Sequence, residues 1–302
     1  MPAAPGYPPR VPRTDTPTQT VRQALRVPGE PGPDGLDLTA IDPAGKPVGP
    51  HDKKAAAAAM DELGARLDGL QEALFAEGTD GGRRALLLVL QGMDTSGKGG
   101  VISHAAGLMN PQGLHIASFK KPTEEELSHD FLWRIRTQAP APGYIGVFDR
   151  SHYEDVLIAR VNGLVPEKEW RGRYGAIRDF EAELTENGIT VVKCMLHISP
   201  EKQQKRLLAR LDHPAKRWKY NPADLDSRTR WADYRAAYTD ALRETDSDAA
   251  PWYVVPSDRK WYRNWAVAAL LAETLEQLAP QFPPPDYDVV AERARVEASS
   301  IR

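Results

Sequence analysis

The chain has 302 residues, 41% of them apolar, and its 39 Lys and Arg against 42 Asp and Glu leave a net charge of −3. That near balance argues against a dedicated nucleic-acid binder, which carries a basic excess, and the single cysteine, Cys194, excludes a disulfide framework and a four-cysteine zinc site and suits a reducing cytoplasm. Unbroken apolar runs such as Ala55–Met60 and Ala85–Leu90 fall far short of the roughly 20 residues a membrane span needs, and no secretory leader pattern is present.

Residues 1–50 hold runs such as Pro28-Gly29-Glu30-Pro31-Gly32-Pro33-Asp34-Gly35, which sustain neither a helix nor a ladder. This segment is expected to be largely irregular and draped on the fold. Residues 51–280 read as one domain. Helical spacing runs over 55–76, with Met60, Leu63, Leu67, Leu70 and Leu74 on one stripe. Residues 84–91 form a short, almost entirely apolar run ending at glycine, as a strand buried on both faces does. A helix is expected over 98–108, a turn at 110–113 and a strand over 115–119. Thr123 with Glu126 three residues on makes a capping box; its helix is expected to run toward Gln138, before Pro140 and Pro142. Strands follow at 144–148, 190–198 and 252–255, and helices at 167–187, from Ser199-Pro200 onward, and at 262–278. Residues 281–302 form a tail, broken by Pro283-Pro284-Pro285 and carrying at most a loose charged helix. Alternation of this kind implies an α/β fold, a parallel sheet with helices on both faces.

Gly92-Met93-Asp94-Thr95-Ser96-Gly97-Lys98-Gly99 lies between the first strand and its helix and fits G-x-x-x-x-G-K. Backbone N–H groups of such a loop point at phosphate oxygens, the helix N-terminus adds positive potential, and Lys98 supplies a mobile charge. The residue after Lys98 is Gly99, where a Ser or Thr hydroxyl normally helps hold Mg²⁺. Two carboxylates are placed to hold it instead. Asp94 lies inside the loop, where the bland reading is a turn bond to backbone. Asp149 follows a buried strand, where the bland reading is a helix cap. Carboxylates with phosphate oxygens and waters make the usual Mg²⁺ shell.

Cations surround this loop in sequence order. Lys120 and Lys121 end the second strand, Arg134 and Arg136 follow the capping box, and Arg150 follows Asp149. Lys202, Lys205, Arg206, Arg210, Lys216, Arg217 and Lys219 crowd one helix and loop, with Trp218 and Tyr220 as flat partners for a base. This reads as a lid over about 200–235 that closes on phosphates and excludes water; the bland reading is a solvated surface helix. His152 is read as a structural histidine, Cys194 as buried and inert, and Trp252, Trp261 and Trp265 as packing.

The runs Gln91–Gly100, Phe119–Glu126, His129–Arg134 and Phe148–Leu157, with Arg206, Arg210, Lys216–Lys219 and Asp258–Tyr262, together resemble the polyphosphate kinase 2 family over residues 52–278. The resemblance implies a P-loop kinase-like three-layer fold with a helical lid. It implies reversible phosphoryl transfer between inorganic polyphosphate and a nucleotide (ADP or GDP, and AMP) with Mg²⁺, or Mn²⁺ in its place. It assigns Asp94, Lys98, Asp149 and Arg150 to the catalytic core, with Asp94 and Asp149 at the metal. Gly92, Thr95, Ser96, Gly97, Gly99, Lys120, Lys121, Arg134, Arg206 and Arg210 fall on the polyphosphate path, and Lys216, Trp218 and Lys219 at the nucleotide. The run Ser151–Asp155 looks like the branch with AMP- and ADP-phosphorylating members, whereas Gly99 looks like the ADP-preferring branch. A homo-oligomer, dimer or tetramer, is implied as well. Two alternatives stand beside this reading: an ATP-dependent P-loop kinase of a nucleotide or other small molecule, and a non-catalytic polyphosphate-binding protein.

Overall fold

The computed structural model describes residues 19–27 and 35–299; the expectations for residues 1–18, 28–34 and 300–302 lie outside these. Five strands form one parallel sheet: β1 (Ala85–Gln91), β2 (Leu114–Ser118), β3 (Ile145–Asp149), β4 (Ile189–His197) and β5 (Trp252–Pro256), in the order β2-β3-β1-β4-β5. Each matches a strand expected from the sequence to within one residue at either end. The described helices are α1 (Val21–Leu25), α2 (Lys53–Thr79), α3 (Lys98–His104), α4 (Glu124–Leu127), α5 (Trp133–Arg136), α6 (Glu154–Val161), α7 (Glu167–Glu186), α8 (Pro200–Asp212), α9 (Ala223–Thr229), α10 (Trp231–Thr245), α11 (Lys260–Leu278) and α12 (Val289–Ala298).

The sheet separates two apolar cores, which explains why β1 is apolar from Ala85 to Leu90. Leu86, Leu88 and Leu90 pack on one side with Leu67 and Leu74 of α2 and Leu270 and Leu271 of α11. Leu87 and Val89 pack on the other with Val156 of α6, Ile177 and Phe180 of α7 and Leu242 of α10. Strand β1 lies between β3 and β4: the chain runs from β1 past β3 to the edge strand β2, returns to β3 and then crosses β1 to β4, so the switch point where open α/β sheets bind ligands falls at β1. In register, Leu90 stands beside Asp149 and Gln91 beside Met195. The phosphate loop therefore starts next to the carboxylate that ends β3.

Three local outcomes differ from the expectations. The Thr123 capping box is present, but α4 stops after one turn at Leu127. The Asp130 carboxylate accepts a bond from the Leu132 amide at 2.9 Å, a local side-chain turn that competes with the helix, and the chain becomes helical again only in α5. Helix α6 was not expected, because its polar first turn masks its short apolar stripe. Helix α10 was not expected either, although Tyr234, Ala237, Tyr238, Ala241 and Leu242 recur at helical spacing; its first turn, inside the limit set for the lid, packs into the core.

The described part of the N-terminal segment is tied down. Thr20 and Gln23 form a capping box, Val21 and Leu25 are buried, and the Val21 and Arg22 amides both donate to Glu273 at 2.9 Å. Arg26 then pairs with Tyr253 as an antiparallel bridge, which covers the free edge of β5. At the other end, α12 is a charged helix with no buried residue.

Candidate active site

The loop between β1 and α3 is shaped by two close approaches. Gly92 has φ +147°, and a Cβ there would sit 2.7 Å from the Leu196 carbonyl oxygen. Gly97 has φ +111°, and its Cβ would fall 1.7 Å from the Arg263 guanidinium. Arginines grip the loop from behind: Arg206 Nη1 donates to the Thr95 and Ser96 carbonyls at 2.7 and 3.0 Å, and Arg263 Nη1 donates to Ser96 O at 2.9 Å. Because the peptide is trans, a carbonyl held on the back turns the Gly97 N–H toward the front. That is the arrangement an anion site needs.

Lys98 folds over the loop, with Nζ donating to Gly92 O at 2.9 Å. Burial pushes its ammonium below the ordinary lysine range and the Arg150 charge adds to this, while Asp94 and Asp149 oppose it. Arg150 lies in the left-handed region at φ +66°, a conformation that costs a non-glycine residue on the order of 1–3 kcal/mol and persists only where the surroundings over-determine it. Its guanidinium meets Asp94 Oδ1 at 3.2 Å and Glu154 Oε2 at 3.7 Å. With its amide oriented by its neighbours, Gln91 donates to Glu154 Oε1 at 3.1 Å and accepts from Ser151. Burial pushes the Glu154 carboxyl above the usual range, with Arg150 and Lys98 pulling the other way.

Two cavities meet at these side chains. The larger, about 600 Å³, fronts the loop and is lined by Lys98, Gly99, Asp149, Arg210 and Lys219 among others. The smaller, about 270 Å³, lies under α9 and α10 and is lined by Glu154, Asp226, Arg230, Tyr234 and Tyr238 among others. Asp94, Arg150, Asn221 and Asp224 line both. A group held in one cavity can therefore face a group held in the other across Asp94 and Arg150. Asp94 and Asp149 share the larger cavity. No set of three or more metal-ligating side chains exists among the described residues. Two hard carboxylate donors beside a phosphate site fit Mg²⁺ or Mn²⁺, with phosphate and water oxygens completing the shell.

The structure gathers Asp94, Thr95, Gly97, Lys98, Gly99, Asp149, Arg150, Arg210 and Lys219 on one cavity wall, as the sequence suggested. Other expected residues are placed differently. Arg206 spends its donors on loop carbonyls and on Ser257 O and Asp258 O, at 2.7 and 3.2 Å, so it braces the loop instead of facing the cavity. Arg134 is 7% exposed, donates to Lys120 O at 2.9 Å and lies 3.7 Å from Asp155, so it holds the backbone of the Lys120-Lys121 segment. Lys120 and Lys121 are exposed and line neither cavity. Ser96 is buried, and Trp218 is 77% exposed, with Lys219 over its ring. Lys216 lines neither cavity. His152 is buried against Glu181 and Cys194 is buried, both as read.

Sequence reasoning missed Arg263, Asn221, Asp224, Arg230 and the role of Glu154. Asn221-Pro222, a turn signal right after the cationic run, could have drawn attention to Asp224. Arg263 gave no signal, since its role comes from the packing of α11 behind the loop.

The polyphosphate kinase 2 family model matches residues 50–283. The AMP/ADP-polyphosphate phosphotransferase of Meiothermus ruber is 48% identical over 255 residues, covering 84% of this chain and 94% of the relative. The ADP-polyphosphate phosphotransferase of Rhodopseudomonas palustris is 45% identical over 230 residues, 72% of this chain and 78% of the relative. The crystal structure of polyphosphate kinase 2 from Arthrobacter aurescens superposes with a TM-score of 0.89 at 50% identity, covering 93% of this chain and 98% of that one. With the loop, the strand-end carboxylate and the sheet order all in place, the chain belongs to the polyphosphate kinase 2 family.

Proposed function

We propose that this protein transfers a phosphoryl group reversibly between inorganic polyphosphate and a nucleotide. The observation that carries the reading is the pair of cavities joined at Asp94 and Arg150, one of them fronted by the phosphate loop and Lys98. The larger cavity takes the polyphosphate end and the smaller one the nucleotide. An oxygen of the nucleotide's terminal phosphate attacks the end phosphorus of polyphosphate. A new P–O bond forms, the bond to the penultimate phosphate breaks, and the shortened chain leaves with the electron pair. The attacking oxygen is already anionic, so no strong general base is needed; Lys98 and Arg150 neutralise charge and hold the two phosphates in line. A divalent cation, Mg²⁺ or Mn²⁺, held by Asp94 and Asp149, would supply further charge neutralisation.

The names of the relatives support ADP and AMP as acceptors, and a third relative, from Corynebacterium glutamicum at 33% identity, is named a putative GDP-polyphosphate phosphotransferase. The lack of a hydroxyl at Gly99 weighs against an ordinary ATP-dependent kinase. A buried, unpaired Cys194 suits a cytoplasmic setting. No described helix is long and apolar enough to cross a membrane. Self-association to a dimer or tetramer is part of the same reading, tested by light scattering. The test of function is an assay with pure protein, Mg²⁺ and long-chain polyphosphate, offering AMP, ADP, GMP and GDP separately. Formation of ATP or GTP supports the reading and the AMP reaction sets the branch. Labelling of another small molecule by ATP, with no polyphosphate-dependent product, overturns it.

A further inference from the structure

Behind the site lies a buried polar cluster whose residues line neither cavity. Lys193 sits in the middle of β4, fully buried and flanked by Val191, Val192, Cys194 and Met195. Its ammonium bonds Glu181 of α7 and donates to Tyr153 Oη at 3.0 Å and to Thr245 O at 2.7 Å. Glu181 Oε1 accepts from Tyr153 Oη at 2.8 Å and lies 3.3 Å from His152 Nε2. Lys193, Tyr153, Thr245 and His152 are fully buried, and Glu181 nearly so. Burial alone would raise the Glu181 carboxyl, but Lys193 and His152 outweigh it and hold it below the usual range.

A buried ion pair is a weak source of stability, since well-packed apolar side chains of the same volume do as well. Its value here lies in what it grips. His152 and Tyr153 follow Arg150 by two and three residues, and Tyr153 directly precedes Glu154. The stretch from Arg150 to the first residue of α6 thus carries both partners of the Arg150–Glu154 contact, and its strained backbone position is Arg150 itself. On the site side the segment is tied by the Arg150 amide to Leu90 O at 3.1 Å and by Ser151 to Gln91. On the far side the buried cluster is its polar anchor. His152 Nδ1 has no partner, so the ring is oriented by Glu181 and by its packing on Phe180.

We propose that Glu181 and Lys193, acting through His152 and Tyr153, are positioning residues that hold Arg150 in its left-handed conformation between Asp94 and Glu154. The inference rests on the phosphotransfer reading for its kinetic test, and a second readout is independent of it. Glu181→Gln is measured alone and combined with Arg150→Lys. In the wild-type background kcat falls about tenfold or more, as misplacement of a group by a fraction of an ångström can cause, while KM for polyphosphate changes little. In the Arg150→Lys background the same substitution changes kcat less than about twofold, because the two act as one unit. Hydrogen exchange at residues 149–154 speeds up in Glu181→Gln while β1 stays protected, whatever the substrate proves to be. An equal fall in kcat in both backgrounds, or a lowered melting temperature with kcat and exchange at 149–154 unchanged, overturns the proposal. Tyr153→Phe removes only the hydroxyl and carries the same cycle if Glu181→Gln does not fold. Inactive wild-type protein refutes the phosphotransfer reading alone, and the exchange result then decides this one.

Discussion

Arg206 offers the sharpest test of how the phosphate loop is held. Its four backbone acceptors, Thr95 O, Ser96 O, Ser257 O and Asp258 O, lie 2.7 to 3.2 Å away, and together they join the loop, α8 and the turn before α11. Arg206→Ala leaves these carbonyls to water or to nothing. Hydrogen bonds from a charged donor contribute about 1.5–3 kcal/mol each, but the site is partly open and water recovers some of that. A net loss of roughly 2–4 kcal/mol is reasonable, which lowers the melting temperature by roughly 5–15 °C for a domain of this size. Arg206→Lys keeps the charge but cannot span four acceptors, because an ammonium is a point donor and a guanidinium a fork. If Arg206 braces the loop, Lys falls nearly as far as Ala in both kcat and melting temperature. Differential scanning fluorimetry and initial rates at varied polyphosphate measure both. If Lys instead preserves kcat and stability, and Ala raises only KM for polyphosphate, then Arg206 is a substrate contact and the bracing argument fails.

Three further outcomes are expected. Lys98→Ala and Asp149→Ala each lower kcat by a factor on the order of 10² or more with the far-ultraviolet circular dichroism unchanged, as loss of a charge-stabilising group does; near-normal turnover in either would remove it from the core. Burial raises the Glu154 carboxyl above the usual carboxylate range, so folding favours its protonated form. Its ionisation therefore costs stability as pH rises through the raised value, and Glu154→Gln should melt higher than wild type at pH 8 but not at pH 4; a lower melting point at pH 8 would show that the Arg150 contact outweighs burial. Leu25→Ala, at a side chain 3% exposed under α11, should cost about 2–4 kcal/mol in urea unfolding and leave kcat within twofold; an unchanged midpoint would mean that α1 is not part of the folded unit.

Much of the site is local in the chain and was legible from it. Gly92 through Gly99 shape their own turn, an apolar run precedes them and a helix follows, so their chemistry can be read without knowing any partner. Most of the sheet was legible as well, since β1, β3 and β5 are buried and nearly uninterrupted apolar runs, whereas the edge strand β2 leaves His115, Ile116 and Ser118 exposed. Helix α10 was legible in principle from its Tyr234-Tyr238-Leu242 stripe, and the break after α4 from Asp130, whose side chain turns the backbone locally.

What a cation does is another matter. Arg134, Arg206, Arg210 and Lys219 look alike in sequence, yet the fold gives Arg134 to Lys120 O and Asp155, and Arg206 to the back of the phosphate loop. It leaves Arg210 and Lys219 on the cavity wall. A guanidinium satisfies whichever acceptors come within reach, and those acceptors are backbone carbonyls and carboxylates from segments tens to hundreds of residues away. Composition and spacing determined that this chain would handle phosphate. Only the tertiary structure decided which charges meet the phosphate and which hold the loop, because hydrogen-bond geometry over about 3 Å is set by packing across the sheet and not by neighbours in the chain.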